Sequence, residues 1–323
     1  MKKYLALLAL CFLVLCFGIA AEAQDKYPSR PIKFVIPLGP GTVNDVVART
    51  VSEPLAQELK TEILIEYRPG AGGAVGSDFV AKSKPDGYTL GSINSSALTN
   101  APAISANLPY DPLKDFTPLA DVGGNPVMLV VNAGSAWKTL EDFVGHANKN
   151  PSKLSCGTSG VGTAGHFNLE LIKVGAGVQI THVPYKAGSG PAIAALLGNH
   201  IDCIMQIWST VGGHVRAGKF RVLAVTAPVK ETPEVPTFTN KGLSQVSLGV
   251  TFGFYGPANL PRDMVARLVP AFERASKNPA TVAKLEKAGL EVAYTGPKEL
   301  FERIKKELAI SREVAKKAGI SQD

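Results

Sequence analysis

The sequence predicts two α/β units, each a sheet of short, mainly parallel strands covered by helices. Three observations carry that prediction. From Ile32 onward, short β-rich runs alternate with stretches of helical periodicity. The chain has 323 residues, about two domains' worth. Gly- and Pro-marked crossings at Gly123-Gly124-Asn125-Pro126 and at Pro228 to Pro236 then divide the pattern into two series. With 45% hydrophobic and only 19% charged residues, the composition excludes a disordered tail, a collagen or a coiled coil.

In the first series, Ile32 to Pro37 reads as a strand. Asn44 to Leu59 follows with apolar residues at 46, 47, 51, 55 and 59, one face of a helix. Ile63 to Glu66 is a second strand, Ala74 to Lys82 a helix, and Tyr88 to Ile93 a third strand after the turn Pro85-Asp86-Gly87. The second series opens with the apolar strand Val127 to Val131 and the helix Thr139 to Lys149. It continues with strands at 153–157, 180–183, 201–207 and 221–226 alternating with helices at 164–174, 191–198 and 209–217. Val250 to Tyr255 is one more strand, and three helical stretches finish the chain. In the last, Lys298 to Ala318, Leu300, Phe301, Ile304, Leu308 and Val314 share a face. Acids and bases are mixed elsewhere on it, which marks a helix packed on a sheet rather than one lying on a membrane. Two such units joined by crossings imply a cleft between them, the usual place for a small-molecule site.

Ahead of the first strand, Leu5 to Ala21 holds seventeen residues without a polar side chain, preceded by Lys2 and Lys3 and followed by Ala21-Glu22-Ala23. That is the pattern of a secretory signal peptide, residues 1–23, cut after Ala23. A membrane anchor would need about 20 apolar residues and a stop signal. Lipid attachment at Cys11 or Cys16 would need a small residue where Leu10 and Leu15 stand. The expected mature protein starts near Gln24 and is exported to the periplasm. It carries 32 basic against 26 acidic residues, a modest +6. The basic residues are scattered and the two Trp are far apart, so a nucleic-acid binder is excluded. Cys156 and Cys203 each lie in an apolar strand-like run. Export leaves two readings open for them, a disulfide or two small buried thiols.

Three strand-to-helix turns are rich in Gly and small polar residues: Gly39 to Asp45, Gly70 to Gly73 and Ser159 to His166. Without a Cβ, Gly lets a ligand approach the backbone, and free N–H groups at a helix N-terminus favour carboxylate or phosphate. Gly160 to Gly165 also spells G-x-G-x-x-G. The acidic residue that a dinucleotide ribose needs about 20 residues later is missing, because Gly177 to Tyr185 holds neither Asp nor Glu. No catalytic or metal constellation appears. Ser159 is not in G-x-S-x-G, and the five His (146, 166, 182, 200, 214) lack metal-ligand spacing. Binding without chemistry, and without cofactor or metal, is the expectation. His166 is either a neutral capping or packing histidine or a ligand donor at the cleft.

These turns sit in a wider set of motifs. Tyr27-Pro-Ser-Arg-Pro-Ile-Lys-Phe-Val-Ile-Pro37, Pro40-Gly41 with Asp45, Arg68-Pro-Gly-Ala-Gly-Gly-Ala-Val-Gly76 and Pro85-Asp-Gly-Tyr-Thr-Leu90 come first. Ser159 to His166, Val183-Pro-Tyr-Lys186, Leu223-Ala-Val-Thr226 and Tyr255-Gly-Pro-Ala-Asn-Leu-Pro261 follow in order. Together they resemble the Bug family of periplasmic solute-binding proteins, the extracytoplasmic receptors of tripartite tricarboxylate transporters.

The resemblance implies a type II periplasmic-binding-protein (Venus flytrap) fold. Lobe 1 would comprise 24–124 and 241–323, and lobe 2 125–240, closing on a small carboxylate. It also implies membrane transporter subunits as partners, for a chain expected to be a monomer. Pro40, Gly41, Thr42, Asp45, Ala71, Gly72 and Gly73 would form the first lobe's anion nest, with hydroxyls from Ser95 and Ser96. Ser159, Gly162, Thr163 and His166 would complete it from the second lobe. Asp45 is expected to orient the loop or waters, since its charge repels a carboxylate. Thr42 stands where a second Gly is usual and Tyr67 where Asn is usual, and Tyr185 to Ala192 is one residue longer than its counterpart, so ligand identity transfers less well than fold. The competing classes are an exported enzyme acting on a carboxylated substrate and a sensor serving a signalling partner.

Overall fold

A computed structural model describes residues 27–185 and 188–321. The signal-peptide reading of residues 1–23 lies outside the described residues. The chain runs β1 (Ile32–Ile36), α1 (Val43–Leu59), β2 (Ile63–Tyr67), α2 (Ala74–Ala81), β3 (Thr89–Asn94), α3 (Ser95–Thr99), α4 (Ala101–Ile104) and β4 (Phe116–Asn125). It crosses to β5 (Val127–Asn132), α5 (Leu140–Lys149), β6 (Ser155–Thr158), α6 (Ala164–Ala176), β7 (Thr181–Pro184), α7 (Ser189–Leu197), β8 (Cys203–Ile207), α8 (Trp208–Arg216) and β9 (Phe220–Val225). It returns through β10 (Val250–Pro257), α9 (Arg262–Lys277), α10 (Pro279–Lys287), β11 (Glu291–Thr295) and α11 (Pro297–Ala318).

Two sheets result, ordered β11-β4-β10-β3-β1-β2 and β7-β6-β8-β5-β9. Each contains a parallel trio, β3-β1-β2 in one and β8-β6-β7 in the other. The expectation of parallel sheets holds only for these trios. β10 runs antiparallel to both β3 and β4, and β5 antiparallel to both β8 and β9, so both sheets are mixed. The physical reason is the crossing itself: strands that carry the chain between lobes arrive from the opposite direction and need no helical crossover.

Each trio buries its centre strand under apolar packing. Phe34 of β1 lies 5.2 Å from Phe254 and 6.0 Å, stacked, from Phe272 of α9, which pins that helix beneath the first sheet. In the second lobe Phe143 of α5 and Phe167 and Ile172 of α6 belong to the apolar cluster that holds Leu129, Cys156 and Met205. α11 ties the lobes together. Its Leu300 and Ile304 pack with Val35 and Tyr255 of the first sheet, while Val314 and Ala315 pack with Val127 and Phe167 of the second lobe.

Beside the crossing strands, Asp121 is fully buried with its Oδ2 2.7 Å from Arg303 Nη2. Burial pushes its pKa up to about 6, although Arg303 opposes the rise. Burial likewise lifts Glu307 to about 7 against the pull of Arg303, with the charge of Asp121 adding to the rise. Cys156 and Cys203 are register partners on adjacent strands β6 and β8, both buried and both free thiols.

Candidate ligand-binding cleft

Parallel strands point their carboxyl ends, and the N-termini of the helices that follow, to one edge of the sheet. In both lobes that edge faces the other lobe. The turns after β2 and β6 meet there, whereas the turn after β1 does not reach the interlobe cavity. Between the lobes lies a cavity of about 290 Å³, lined from the first lobe by Ala71, Gly72, Asn94 and Ser96 and from the second by Ser159, Gly162, Thr163, Ser189 and Gln206. Ile104, Val127, Met205, Ile207 and Val250 supply an apolar belt, and no charged side chain lines it among the described residues.

A larger cavity, about 500 Å³, opens beside β9 and is lined by no residue of the first sheet. Its cations are already engaged: Arg221 donates to the carbonyls of Ala133 and Trp137, and Lys241 pairs with Glu141 at 2.7 Å. The interlobe cavity, by contrast, combines both lobes with polar groups that are free of charge.

The turn after β1 and the turn after β6 are built to one plan. Gly41 (φ +77°) and Gly162 (φ +79°) hold left-handed backbone that a side chain would strain, by about 1 to 2 kcal/mol. Thr42 and Thr163 cap α1 and α6, each accepting an N–H three residues on, from Asp45 and His166. Each threonine hydroxyl also donates back to a carbonyl three residues earlier, Gly39 at 2.8 Å and Gly160 at 2.9 Å. The glycine N–H then donates to the side chain four residues later: Gly41 to Asp45 Oδ2 at 2.9 Å, Gly162 to His166 Nδ1 at 3.2 Å.

Asp45 is held by three donors. Besides Gly41, Tyr67 Oη donates to Oδ1 at 2.7 Å and Arg49 Nε at 2.8 Å, and Arg49 Nη2 reaches Tyr67 Oη at 2.5 Å. Burial raises the cost of its charge, but the hydrogen bonds from Tyr67, Gly41 and Arg49 outweigh that and hold the carboxyl below its usual range. Tyr67 is thus a working part of this turn.

His166 has no such cation. Its ring stacks on His182 at 4.0 Å and 12°, and His182 Nε2 lies 2.7 Å from Thr158 Oγ1 in β6. Burial, reinforced by the charges of His182 and Lys173, pushes the His166 pKa down to about 3; burial and Lys173 bring His182 to about 4. His166 is therefore neutral, with its Nε2 proton toward Glu170, 3.9 Å away. Of the two readings of this residue, the geometry matches the neutral cap.

Six sequence-predicted residues line the cavity: Ala71, Gly72, Ser96, Ser159, Gly162 and Thr163. Ala71 does so at φ +45°, a conformation rare for a residue with a Cβ. The other seven do not line it. Pro40 and Gly41 form an exposed tip, and Thr42 caps α1. Asp45 and His166 are buried behind their turns as acceptors. Gly73 is buried near Pro37, and Ser95 Oγ accepts the Thr251 N–H at 3.1 Å, fastening α3 to β10.

Sequence reasoning missed Asn94, Ser189 and Gln206. Asn94 caps α3 through Ala97 N–H and donates to Asn44, whose own amide reaches Ser92 O at 2.8 Å. Gln206 was the findable one, a lone polar residue inside the apolar run Cys203 to Ile207.

Two mixed α/β lobes with a cavity between them, lined by no charged side chain among the described residues, have the architecture of a solute-binding protein. The sequence signature described as "Tripartite tricarboxylate transporter family receptor" matches residues 47–320. The chain belongs to that family of periplasmic solute-binding receptors, the Bug proteins among them. BugT of Bordetella pertussis is 31% identical over 284 residues, 87% of each chain. Among solved structures, a Rhodopseudomonas palustris protein with adipate superimposes at TM-score 0.77 with 28% identity, covering 91% of this chain and 99% of the other. MatC of the same organism, with bound malate, gives 0.73 and 29%, covering 89% and 99%.

Proposed function

We propose that this chain captures a small carboxylate in the interlobe cavity, in the periplasm, and hands it to the membrane subunits of a tripartite tricarboxylate-type transporter. The observation that carries the reading is the cavity itself. Two glycine-rich turns, one from each lobe, meet in about 290 Å³ with hydroxyl- and amide-bearing residues but no charged lining side chain among the described residues. Helix N-termini supply the positive potential that an anion needs without a cation. The volume sits at the small end of ligand pockets, roughly 300 to 1,000 Å³, which suits acids of a few carbons. The malate and adipate of the two R. palustris relatives support the same class. The apolar belt would cover the carbon chain between polar ends.

A thermal-shift survey of four- to six-carbon mono- and dicarboxylates tests it. A ligand at 100 times its Kd should add about 2.7 kcal/mol of stability, a clear rise in Tm, and be recovered chemically unchanged. No rise with any acid would refute the carboxylate reading, and consumption of the acid would point to an enzyme instead.

A further inference from the structure

Away from the cleft, the lobes are joined by two crossings of the chain and by α11, and one cavity touches all of them. It measures about 200 Å³ and is lined by the β4–β5 crossing at 123–126, the return toward β10 at 247–251, and Arg303 and Glu307 of α11, the helix that packs on both lobes. Arg303 reaches from this cavity into the first sheet, where its Nη2 lies 2.7 Å from Asp121 Oδ2. Asp121 is fully buried, and its Oδ1 accepts the Gly123 N–H at 3.0 Å, at the start of the crossing. Glu307 stands one helical turn after Arg303. Arg303 Nε has no hydrogen-bond partner among the described residues.

The charges of this cluster do not balance. One guanidinium serves two carboxylates, and Asp121 is wholly out of water. The other groups that face them supply no second buried cation. β10 contributes Tyr255, whose phenol is kept protonated by burial, β11 contributes Glu291 at the cavity wall, and α11 adds Lys306, which is exposed. Thr226 and Ser247 complete the wall and do not titrate. Burial disfavours a net charge, so two carboxylates that share one cation retain a proton between them, and that proton belongs to the pair. Asp121 and Glu307, pushed up to about 6 and about 7, agree with this count.

We propose that Asp121, Arg303 and Glu307 form a proton-operated brace at the hinge. With one proton shared between the carboxylates, the crossings stay packed as they are here. Its loss loosens them, and the grip on a ligand held between the lobes weakens as the medium turns from slightly acid to slightly alkaline. The cleft supplies no such response itself: no charged side chain lines it among the described residues, and His166 and His182 titrate only at about 3 and about 4. Only the ligand measurement below rests on the cleft being the carboxylate site.

Hydrogen–deuterium exchange tests the brace without ligand, by comparing wild type with Glu307→Gln, which keeps the shape of the protonated acid and cannot ionise. Peptides covering 121–127 and 247–255 should exchange equally in both proteins at pH 6. At pH 8 they should exchange about three- to tenfold faster in wild type, the intrinsic rate being common to both at each pH. In calorimetric titration with adipate, the wild-type Kd should rise about three- to tenfold from pH 6 to pH 8, with proton uptake visible as a dependence of the heat on the buffer. Glu307→Gln should flatten both, and Asp121→Asn serves as a second variant with the same expected flattening. Equal exchange in wild type and both variants at both pH values overturns the brace, whatever adipate does. Adipate binding with a wild-type Kd constant from pH 6 to pH 8, or with a pH profile that survives both substitutions, overturns it too. An exchange difference confined to pH 8 with no adipate binding at either pH supports the brace and counts against the carboxylate reading alone.

Discussion

The turns after β1 and β6 perform the same task with opposite chemistry. Both set a glycine at φ near +78°, cap a helix with threonine and tie the glycine N–H to a side chain four residues on. In the first lobe that side chain is a carboxylate, its charge balanced by Arg49 and shared with Tyr67. In the second it is a neutral imidazole braced by another imidazole. The lesson is that the backbone geometry of such a turn needs an acceptor at the fourth position, not a particular charge. The charge then decides what else must be built around it. It also bears on position: the Asp45 turn stands outside the cavity walls, whereas the turn behind His166 forms part of them. Behind the wall turn the nearest carboxylate, Glu170, is paired with Lys173.

Breaking the first turn should cost most. Asp45→Ala removes the acceptor for Gly41, Arg49 and Tyr67 at once and is expected to lower stability by about 2 to 3 kcal/mol in urea unfolding, allowing for the exposure of Arg49. His166→Ala, losing one hydrogen bond and the ring stack, is expected to cost about 1 to 2 kcal/mol. An equal or reversed order would sink the idea that the charged turn carries the larger network.

The comparison sharpens with His166→Asp. It places a carboxylate beside the cavity without an arginine or tyrosine to hold it, and should weaken carboxylate binding by about tenfold or more, whereas Asp45→Asn should change it less than about threefold. Calorimetry on both variants decides.

The turns also differ in their response to acid. His166 and His182 have folded pKa values of about 3 and about 4, below the 6.5 of a free histidine. The unfolded chain therefore takes up protons first, and their contribution, complete above pH 6.5, is lost as pH falls toward 4 and 3. Glu170 and Lys173 face the same pair and set its local field. Asp45, held below 3.8, loses its contribution only below that pH. Asp121 and Glu307 work in the other sense: with folded values raised to about 6 and about 7, their contribution is present at low pH and lost as pH rises through that range. Taking the difference between wild type and His166→Gln removes the contribution of Asp121 and Glu307. That difference should shrink between pH 6.5 and 4, and a difference constant over this range would contradict a buried neutral His166.

Smallest are the caps. Thr42→Ala and Thr163→Ala should each cost about 1 kcal/mol, and by nearly the same amount, because the two threonines make the same pair of bonds. Unequal costs beyond about 0.5 kcal/mol would mean that the two turns are less alike than their geometry.

The turns were legible before the fold because Gly and Thr spacing encodes backbone geometry directly. What was less legible has identifiable causes. β4 carries Pro118, Gly123 and Gly124 and shows no strand periodicity, since its order comes from β10 and β11 on either side. The short helices α3 and α4 and the strand β11 are likewise set by packing on α11 and β4 rather than by local pattern. The antiparallel crossings are a property of topology, which strand propensity does not report. In the sequence Asp45 reads as orienting its loop and His166 as either cap or ligand donor; both stand in the first turn of a helix, four residues past the glycine, where they face their own turns as acceptors. Gln206 stands out in the sequence as a lone polar residue in an apolar strand, but which way it faces is set only by the sheet.

The most direct test of the cleft as the carboxylate site is a crystal structure with the tightest-binding acid from the survey. The expected result places one carboxylate within hydrogen-bonding distance of the Gly72 and Gly162 turns, between the lobes. Density for the acid in the cavity beside β9, with the interlobe cleft holding only solvent, would contradict it.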